Sequence, residues 1–194
     1  MLSLIELIQE QKEKEEKKYI WKDSPYKDIV HLQSNNAGIV GEQLFQKLCD
    51  MAGIEASVDG TKTKKIGGGT GDGVIKGNIV EIKLAHQGST SPSFQHELGE
   101  VPWTAKYMAF IDVAPQTIYL TIFENFSETH YKSGNKCIPV FPTKSITWRK
   151  GAGAFKLDST VAINEENVKK NLAIKILQDT SAEAIRGYID SVIQ

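Results

Sequence analysis

Residues 71–85 read GDGVIKGNIVEIKLA. Two short apolar runs flank Gly77-Asn78, a dipeptide suited to a tight turn, so the stretch predicts a β-hairpin. Side chains of a strand alternate between faces. In the second run Val80, Ile82 and Leu84 therefore form an apolar face for the core, and Glu81 and Lys83 share the other. A two-residue turn at Gly77-Asn78 sets Ile79 opposite Lys76, Glu81 opposite Val74 and Lys83 opposite Asp72. Asp72, Glu81 and Lys83 then lie on one face, within about 5–8 Å of one another. A three-residue loop would turn Asp72 to the other face unless a bulge intervened.

Upstream of the hairpin, residues 61–71 (TKTKKIGGGTG) read as a Lys- and Gly-rich loop. Before it, Val40, Leu44, Leu48 and Ala52 recur every four residues, widened by Phe45 and Cys49, and predict a helix from about Gly38 to Ala52 that stops at Gly53. Glu42 falls at the edge of that stripe. Residues 1 to about 20 read as a further helix, with an apolar start at Leu4, Ile5, Leu7 and Ile8 followed by alternating Glu and Lys. It has two candidate resting places, the body of the chain or a partner subunit.

Downstream, YMAFIDV and TIYLTIF flank Ala114-Pro115-Gln116 and read as two core strands. Residues 127–157 carry short β-like pieces. From about Glu165 the tail reads as helical, with a second helix near Thr180-Ser181, whose hydroxyls can cap it ahead of Glu183. This order predicts one α/β or α+β domain: a helical arm (1–34), a catalytic core (35–125), a basic segment (126–164) and C-terminal helices (165–194), around a central mixed sheet.

The 194 residues suffice for one sizeable core. Hydrophobic residues at 40% and charged residues at 24% are ordinary for a globular protein and argue against a fibrous or disordered chain. Cys49 and Cys137 match no metal-ligand spacing, and no apolar run approaches the roughly 20 residues that span a bilayer. The N-terminal stretch has no signal-peptide pattern, and a reduced, cytoplasmic setting is expected. Net charge is −1, but its distribution is uneven. Between Glu128 and Asp158 no acidic residue interrupts Lys132, Lys136, Lys144, Arg149, Lys150 and Lys156, with His130 at the edge and Tyr131, Phe141, Trp148 and Phe155 interleaved. Such a window suits either a solvated basic surface or phosphate contact.

Two carboxylates, Asp72 and Glu81, attract a hard divalent cation, and the backbone carbonyl of Ile82 between the strand residues can add a ligand. Mg²⁺ held this way acidifies water, polarises a phosphoryl oxygen and shields developing charge. Lys83 suits an attacking water; a nearby cation favours its neutral form and the carboxylates its charged form, so orienting group and general base both stay open.

GDGVIKGNIVEIKLA resembles the signature of the PD-(D/E)XK nuclease superfamily, an Asp ahead of an E-x-K strand, with Gly71 where that signature often has Pro. NNAGIVGEQLFQKL resembles the superfamily's N-terminal helix, which supplies an additional metal-site Glu, here Glu42. SPSFQHEL before KYMAFIDV resembles type II restriction endonucleases, in which a Phe-Gln-containing helix follows the catalytic strand; TWRKGAGAFKLDST adds a weaker likeness. The resemblance implies a four-to-five-stranded mixed sheet flanked by helices, as in restriction endonucleases. It implies Mg²⁺-dependent hydrolysis of double-stranded DNA at a short site, with Mn²⁺ able to substitute, leaving 5′-phosphate and 3′-hydroxyl ends. Asp72 and Glu81 would be ligands, Lys83 the water-orienting group, and Glu42 a residue acting on a metal directly or through water. A homodimer on a palindromic site is expected, together with a cognate DNA methyltransferase. Two other readings of the same fold are a repair or recombination nuclease that recognises structure, and a DNA-binding module that has lost catalysis.

Further DNA-contact candidates are Lys62, Lys64 and Lys65 around Gly67-Gly68-Gly69, Gln87 (with His86) at the end of the catalytic strand, Gln95 and His96, and the basic residues Lys144, Arg149 and Lys150 beside Trp148. Gln suits adenine in the major groove. Each of these is equally suited to an ordinary surface position. The glycine triplet lacks the Lys-Ser/Thr ending of a phosphate-cradling loop.

Overall fold

A computed structural model of the chain describes residues 3–58, 71–99, 103–126, 138–140, 144–149 and 154–194. Along the chain the elements are α1 (Leu4–Lys18), a 3₁₀ helix (Lys27–His31), α2 (Ser34–Ala52), β1 (Ala56–Ser57), β2 (Gly73–Ile75) and β3 (Asn78–His86). There follow β4 (Ser93–Gly99), β5 (Tyr107–Ala114), β6 (Thr117–Glu124), β7 (Ile138–Pro139), β8 (Ser145–Arg149), β9 (Ala154–Thr160), α3 (Val161–Lys169), β10 (Ile174–Ile176) and α4 (Ala182–Val192).

The hairpin forms, with its turn one residue earlier than Gly77-Asn78. Lys76 and Gly77 occupy the turn with φ of 50° and 75°, the two positive values a type I′ hairpin requires. Ile75 pairs with Asn78, Val74 with Ile79 and Gly73 with Val80. Asn78 serves as a strap at the base of the turn: its Nδ2 donates to the carbonyls of Lys76 (3.0 Å) and Gln194 (3.1 Å), and its Oδ1 accepts from Lys106 Nζ (3.0 Å). Lys76 Nζ ties the tip to Asp190 Oδ1 and the Ile193 carbonyl. Moving a two-residue turn by one position shifts the register by two, so sidedness is preserved. The paired register ends at Gly73; the Asp72 N–H turns onto the carbonyl of Val80, the residue paired with Gly73, so Asp72 leaves the ladder there and does not stand opposite Lys83.

The hairpin belongs to a six-stranded mixed sheet in the order β1-β2-β3-β5-β6-β10. Only β3 and β5 run parallel; the other pairs are antiparallel. Parallel neighbours need a crossover, and here it contains β4, which leaves for a second, four-stranded antiparallel sheet ordered β4-β9-β8-β7. The Phe-Gln segment is thus a strand, which corrects the helix implied by resemblance. Its alternation is the physical reason: Phe94, His96 and Leu98 are buried while Gln95, Glu97 and Gly99 are exposed, a period of two.

Helices α2 and α4 cover one face of the large sheet, and the second sheet together with α3 covers the other. The first core joins Phe45, Leu48 and Cys49 of α2 and Ile185 and Ile189 of α4 to Val80, Ile82, Ile111 and Leu120. Each such side chain taken fully out of water contributes roughly 1.5–3 kcal/mol. Helix α2 crosses β3 closely: a Cβ on Gly41 would meet Leu84 Cβ at 2.8 Å, so glycine sets that distance. The second core packs Met108, Phe110 and Phe123 against Leu98, Ile146, Phe155 and Leu157. A four-to-five-stranded sheet flanked by helices therefore understates the sheet and omits its partner sheet.

Strands β5 and β6 match YMAFIDV and TIYLTIF, and Ser181 caps α4, its Oγ accepting from the Ala184 N–H at 3.2 Å. Helix α3 starts at Val161, earlier than Glu165, because Thr160 Oγ1 caps Ile163; β10 then interrupts the helical tail. The described side chains of α1, including Leu4, Ile5, Leu7 and Ile8, are all exposed. Among the described residues no helix is long and apolar enough to cross a membrane.

Candidate active site

Asp72, Glu81 and Lys83 meet at one end of the hairpin. The Asp72 N–H donates to the Val80 carbonyl at 2.9 Å, and Asp72 Oδ2 accepts from the Ile82 N–H at 2.7 Å. A carboxylate just ahead of β2 here takes the place of the backbone carbonyl that a longer β2 would have supplied. N–H and C=O of one strand residue point to the same edge. The Ile82 carbonyl is therefore directed to the Asp72 side, past the start of β2. Gly71 makes this approach possible. Its φ is +79° and an added Cβ would meet Ile79 Cγ2 at 2.6 Å, whereas proline is locked near −65°. Where the resembling signature often carries proline, this backbone excludes it.

Glu81 and Lys83 point away from the α2 face, toward the second sheet. Lys83 Nζ donates to Glu81 Oε1, and their side chains keep 20% and 22% of their exposure. They are thus reachable yet held. Two carboxylates, one just ahead of β2 and one on β3, with the Ile82 carbonyl directed to the same edge, fit the few protein ligands that Mg²⁺ takes, with water completing the shell. Glu42 is half-buried on the flank of α2, the helix packed on the opposite, Val80-Ile82 face. Among the described residues no three His, Cys, Asp or Glu side chains form a ready-made metal cluster, so Glu42 is not grouped with Asp72 and Glu81.

A second charged assembly lies beside the first, and sequence reasoning missed its centre. Asp112, in β5 and wholly buried, accepts from His96 Nε2 at Oδ1 (2.5 Å) and from Lys144 Nζ (3.1 Å) and Asn164 Nδ2 (2.6 Å) at Oδ2. Ser159 Oγ donates to Asn164 Oδ1 at 3.2 Å. Burial alone would push the Asp112 carboxyl up, but Lys144, His96 and Asn164 together hold it well below the usual carboxylate range. Burial lowers the basicity of His96, with Lys144 and Lys83 adding to it and Asp112 opposing, and so disfavours its charged form. One signal was present in the sequence: Asp112 is the single charge in the strand YMAFIDV, and a buried carboxylate requires partners.

The DNA-contact candidates divide accordingly. Lys144 and His96 are buried in the Asp112 cluster, Lys144 lying 5.6 Å from the centre of the Phe110 ring; neither presents its side chain to a surface. Exposed Gln95 donates to Asp158 Oδ1 at 2.8 Å, and Lys156 is paired with Glu97. The Gln87 carbonyl accepts from Trp21 Nε1 (3.2 Å) and from His86 Nδ1 (3.1 Å), anchoring the chain that follows α1. Lys62, Lys64, Lys65 and Lys150 lie outside the described residues, as do His130, Lys132, Lys136 and the side chain of Arg149. Cys49 is buried and free, its thiol pushed up to about 12 by burial and by Asp50; it is an inert core residue. The chain matches no protein-family model, no curated protein and no solved structure.

Proposed function

We propose that the chain is a Mg²⁺-dependent DNA endonuclease, acting in the cytoplasm as a homodimer on double-stranded DNA at a short site, as type II restriction endonucleases do, alongside a cognate methyltransferase. One observation carries the reading. Asp72, the Ile82 backbone and the Glu81–Lys83 pair converge at the end of one hairpin, on a face that is neither sealed nor fully solvated. Asp72 and Glu81 would hold the ion, with the Ile82 carbonyl between them and Glu42 acting through water. When bound, Mg²⁺ supplies Lewis-acid activation of water and of the scissile phosphate. Asp72 is oriented by the Ile82 N–H, which fixes the direction of its carboxylate. Lys83 orients the attacking water toward phosphorus and offers positive charge to the oxygen on which negative charge develops.

Sequence-specific restriction is the finer part of the proposal. Gln95, Lys144 and His96 are engaged within the protein, which favours giving weight to a second reading, a nuclease that recognises DNA structure. Digestion of a sequenced plasmid with Mg²⁺, followed by mapping of the ends, separates the two. Discrete fragments with 5′-phosphates support restriction; cutting confined to junctions or flaps supports the alternative. Full cutting by Asp72→Ala, Glu81→Ala or Lys83→Ala, or no cutting at any Mg²⁺ concentration, would remove the reading itself.

A further inference from the structure

Lys83 Nζ uses Glu81 Oε1 as its acceptor. In the proposed reaction Glu81 turns its carboxylate to a cation, and Lys83 loses that partner as a second positive charge arrives nearby. A replacement acceptor has to be on the same face, close by and unused.

His96 meets all three conditions. Its ring packs against Phe110 with centroids 5.0 Å apart, and Phe110 is the residue paired with Lys83 in the parallel β3–β5 ladder. Phe110 thus stands between them, and the imidazole and the lysine share the face of the β3–β5 pair that is turned to the second sheet. The charge of Lys83 is felt at His96, where it adds to burial in disfavouring the charged ring. Nε2 donates to the Asp112 carboxylate, which fixes the tautomer and leaves Nδ1 as a bare acceptor. That Nδ1 is buried and has no hydrogen-bond partner among the described residues, an arrangement that costs about 1–3 kcal/mol. Asp112, itself clamped by Lys144 and Asn164, prevents the ring from rotating to relieve it.

Building on the nuclease reading, we propose that His96 is a positioning residue for Lys83: its Nδ1 accepts a hydrogen bond from Lys83 Nζ, directly or through one water, once Glu81 has turned to its cation. The buried cluster then holds the lysine in line with the phosphate while the carboxylate is occupied.

Imidazole ¹⁵N spectra of the DNA-free chain, titrated with Mg²⁺ alone, test this without turnover. Nε2 is expected to stay protonated while the His96 Nδ1 resonance moves upfield as it gains a donor, and Lys83→Ala abolishes the movement. An Nδ1 resonance that ignores Mg²⁺, with calorimetry showing Glu81-dependent Mg²⁺ binding, overturns the inference and leaves the nuclease reading standing. Absence of Mg²⁺ binding sinks that reading and this inference with it. Cleavage kinetics add a second readout. His96→Gln keeps an N–H near the Nε2 position for Asp112 but has no acceptor at Nδ1, so kcat should fall about 10–100-fold with KM for DNA and the unfolding midpoint near wild type. His96→Asn, which restores an oxygen near the Nδ1 position, should recover part of that loss. Wild-type kcat in His96→Gln overturns the proposal.

Discussion

Two charged assemblies share one face of the large sheet, a residue or two apart along β3 and β5, and they are built on opposite principles. Around Asp112, three polar side chains are sealed from water and both oxygens of the carboxylate are committed. Around Glu81, the carboxylate and Lys83 hold each other but keep about a fifth of their exposure. The sealed assembly cannot exchange partners without an energetic penalty of several kcal/mol, because an ion left alone in the interior has no water to turn to. The half-open assembly exchanges partners easily, because solvent screens its charges. A group that has to receive a cation and a phosphate needs the second design; a group that docks one sheet on another can use the first.

Removing one member of the sealed assembly should therefore have the largest effect on stability. Asp112→Ala leaves Lys144 buried without a counter-charge and is expected to cost about 3–5 kcal/mol in urea unfolding. The paired replacement Asp112→Leu with Lys144→Met should recover most of that loss, since two apolar side chains remove both the charges and their desolvation. If Asp112→Ala unfolds like wild type, the cluster is not what docks β4 and the residue-144 segment on β5.

The half-open assembly should respond in the opposite way. Asp72→Asn and Glu81→Gln are expected to lower Mg²⁺-dependent cutting by about 10²–10³-fold while shifting stability by no more than about 1 kcal/mol. A large loss of stability with unchanged cutting would reverse the roles of the two assemblies.

The same contrast explains what could be seen in the sequence. The hairpin, β5, β6 and α4 are specified by neighbours in the chain: an alternating run, a turn dipeptide, a Ser cap at Ser181. Asp72, Glu81 and Lys83 are local to that hairpin, so their nearness in the chain was legible even though the turn sits at Lys76-Gly77 rather than Gly77-Asn78 and Asp72 leaves the ladder after Gly73. The Asp112 cluster brings together residues from β4, β5, the segment before β8, and α3. No period or spacing links them, and so Lys144 and His96 read as free basic residues for DNA. The second sheet was missed for a related reason, since β4 pairs with β9 across more than half a hundred residues, from Gln95 to Asp158. Strand β10, three residues long, is too short to show an alternation.

Acid should weaken the sealed assembly before the rest of the fold. His96 is held below its ordinary value of 6.5, first by burial, so below that pH the unfolded chain binds a proton that the folded chain refuses. Stability from this residue is fully present above pH 6.5 and declines as pH falls, by at most about 1.4 kcal/mol per pH unit. Asp112 has the same sign at lower pH: its depressed folded value contributes stability above the ordinary carboxylate range, lost as the carboxyl is protonated. Urea unfolding at a series of pH values should show the first slope, and His96→Gln should flatten it between pH 6.5 and about 5. An unchanged slope would mean that His96 titrates in the folded chain.

The smallest effect is expected on the outer face of the second sheet, where Gln95 bonds to Asp158 and Lys156 pairs with Glu97. Cross-strand pairs of this kind contribute about 0.2–1 kcal/mol, so Gln95→Ala should shift unfolding by no more than that. Its effect on cutting decides whether this face reads DNA. A glutamine that contacts an adenine edge has to release Asp158 first, and a bidentate contact is worth about 1–3 kcal/mol of discrimination. A Gln95→Ala chain that cuts the same sites at the same rate assigns Gln95 to the sheet; one that relaxes the site at a single base pair gives it back to recognition, with Asp158 as the partner it gives up on binding.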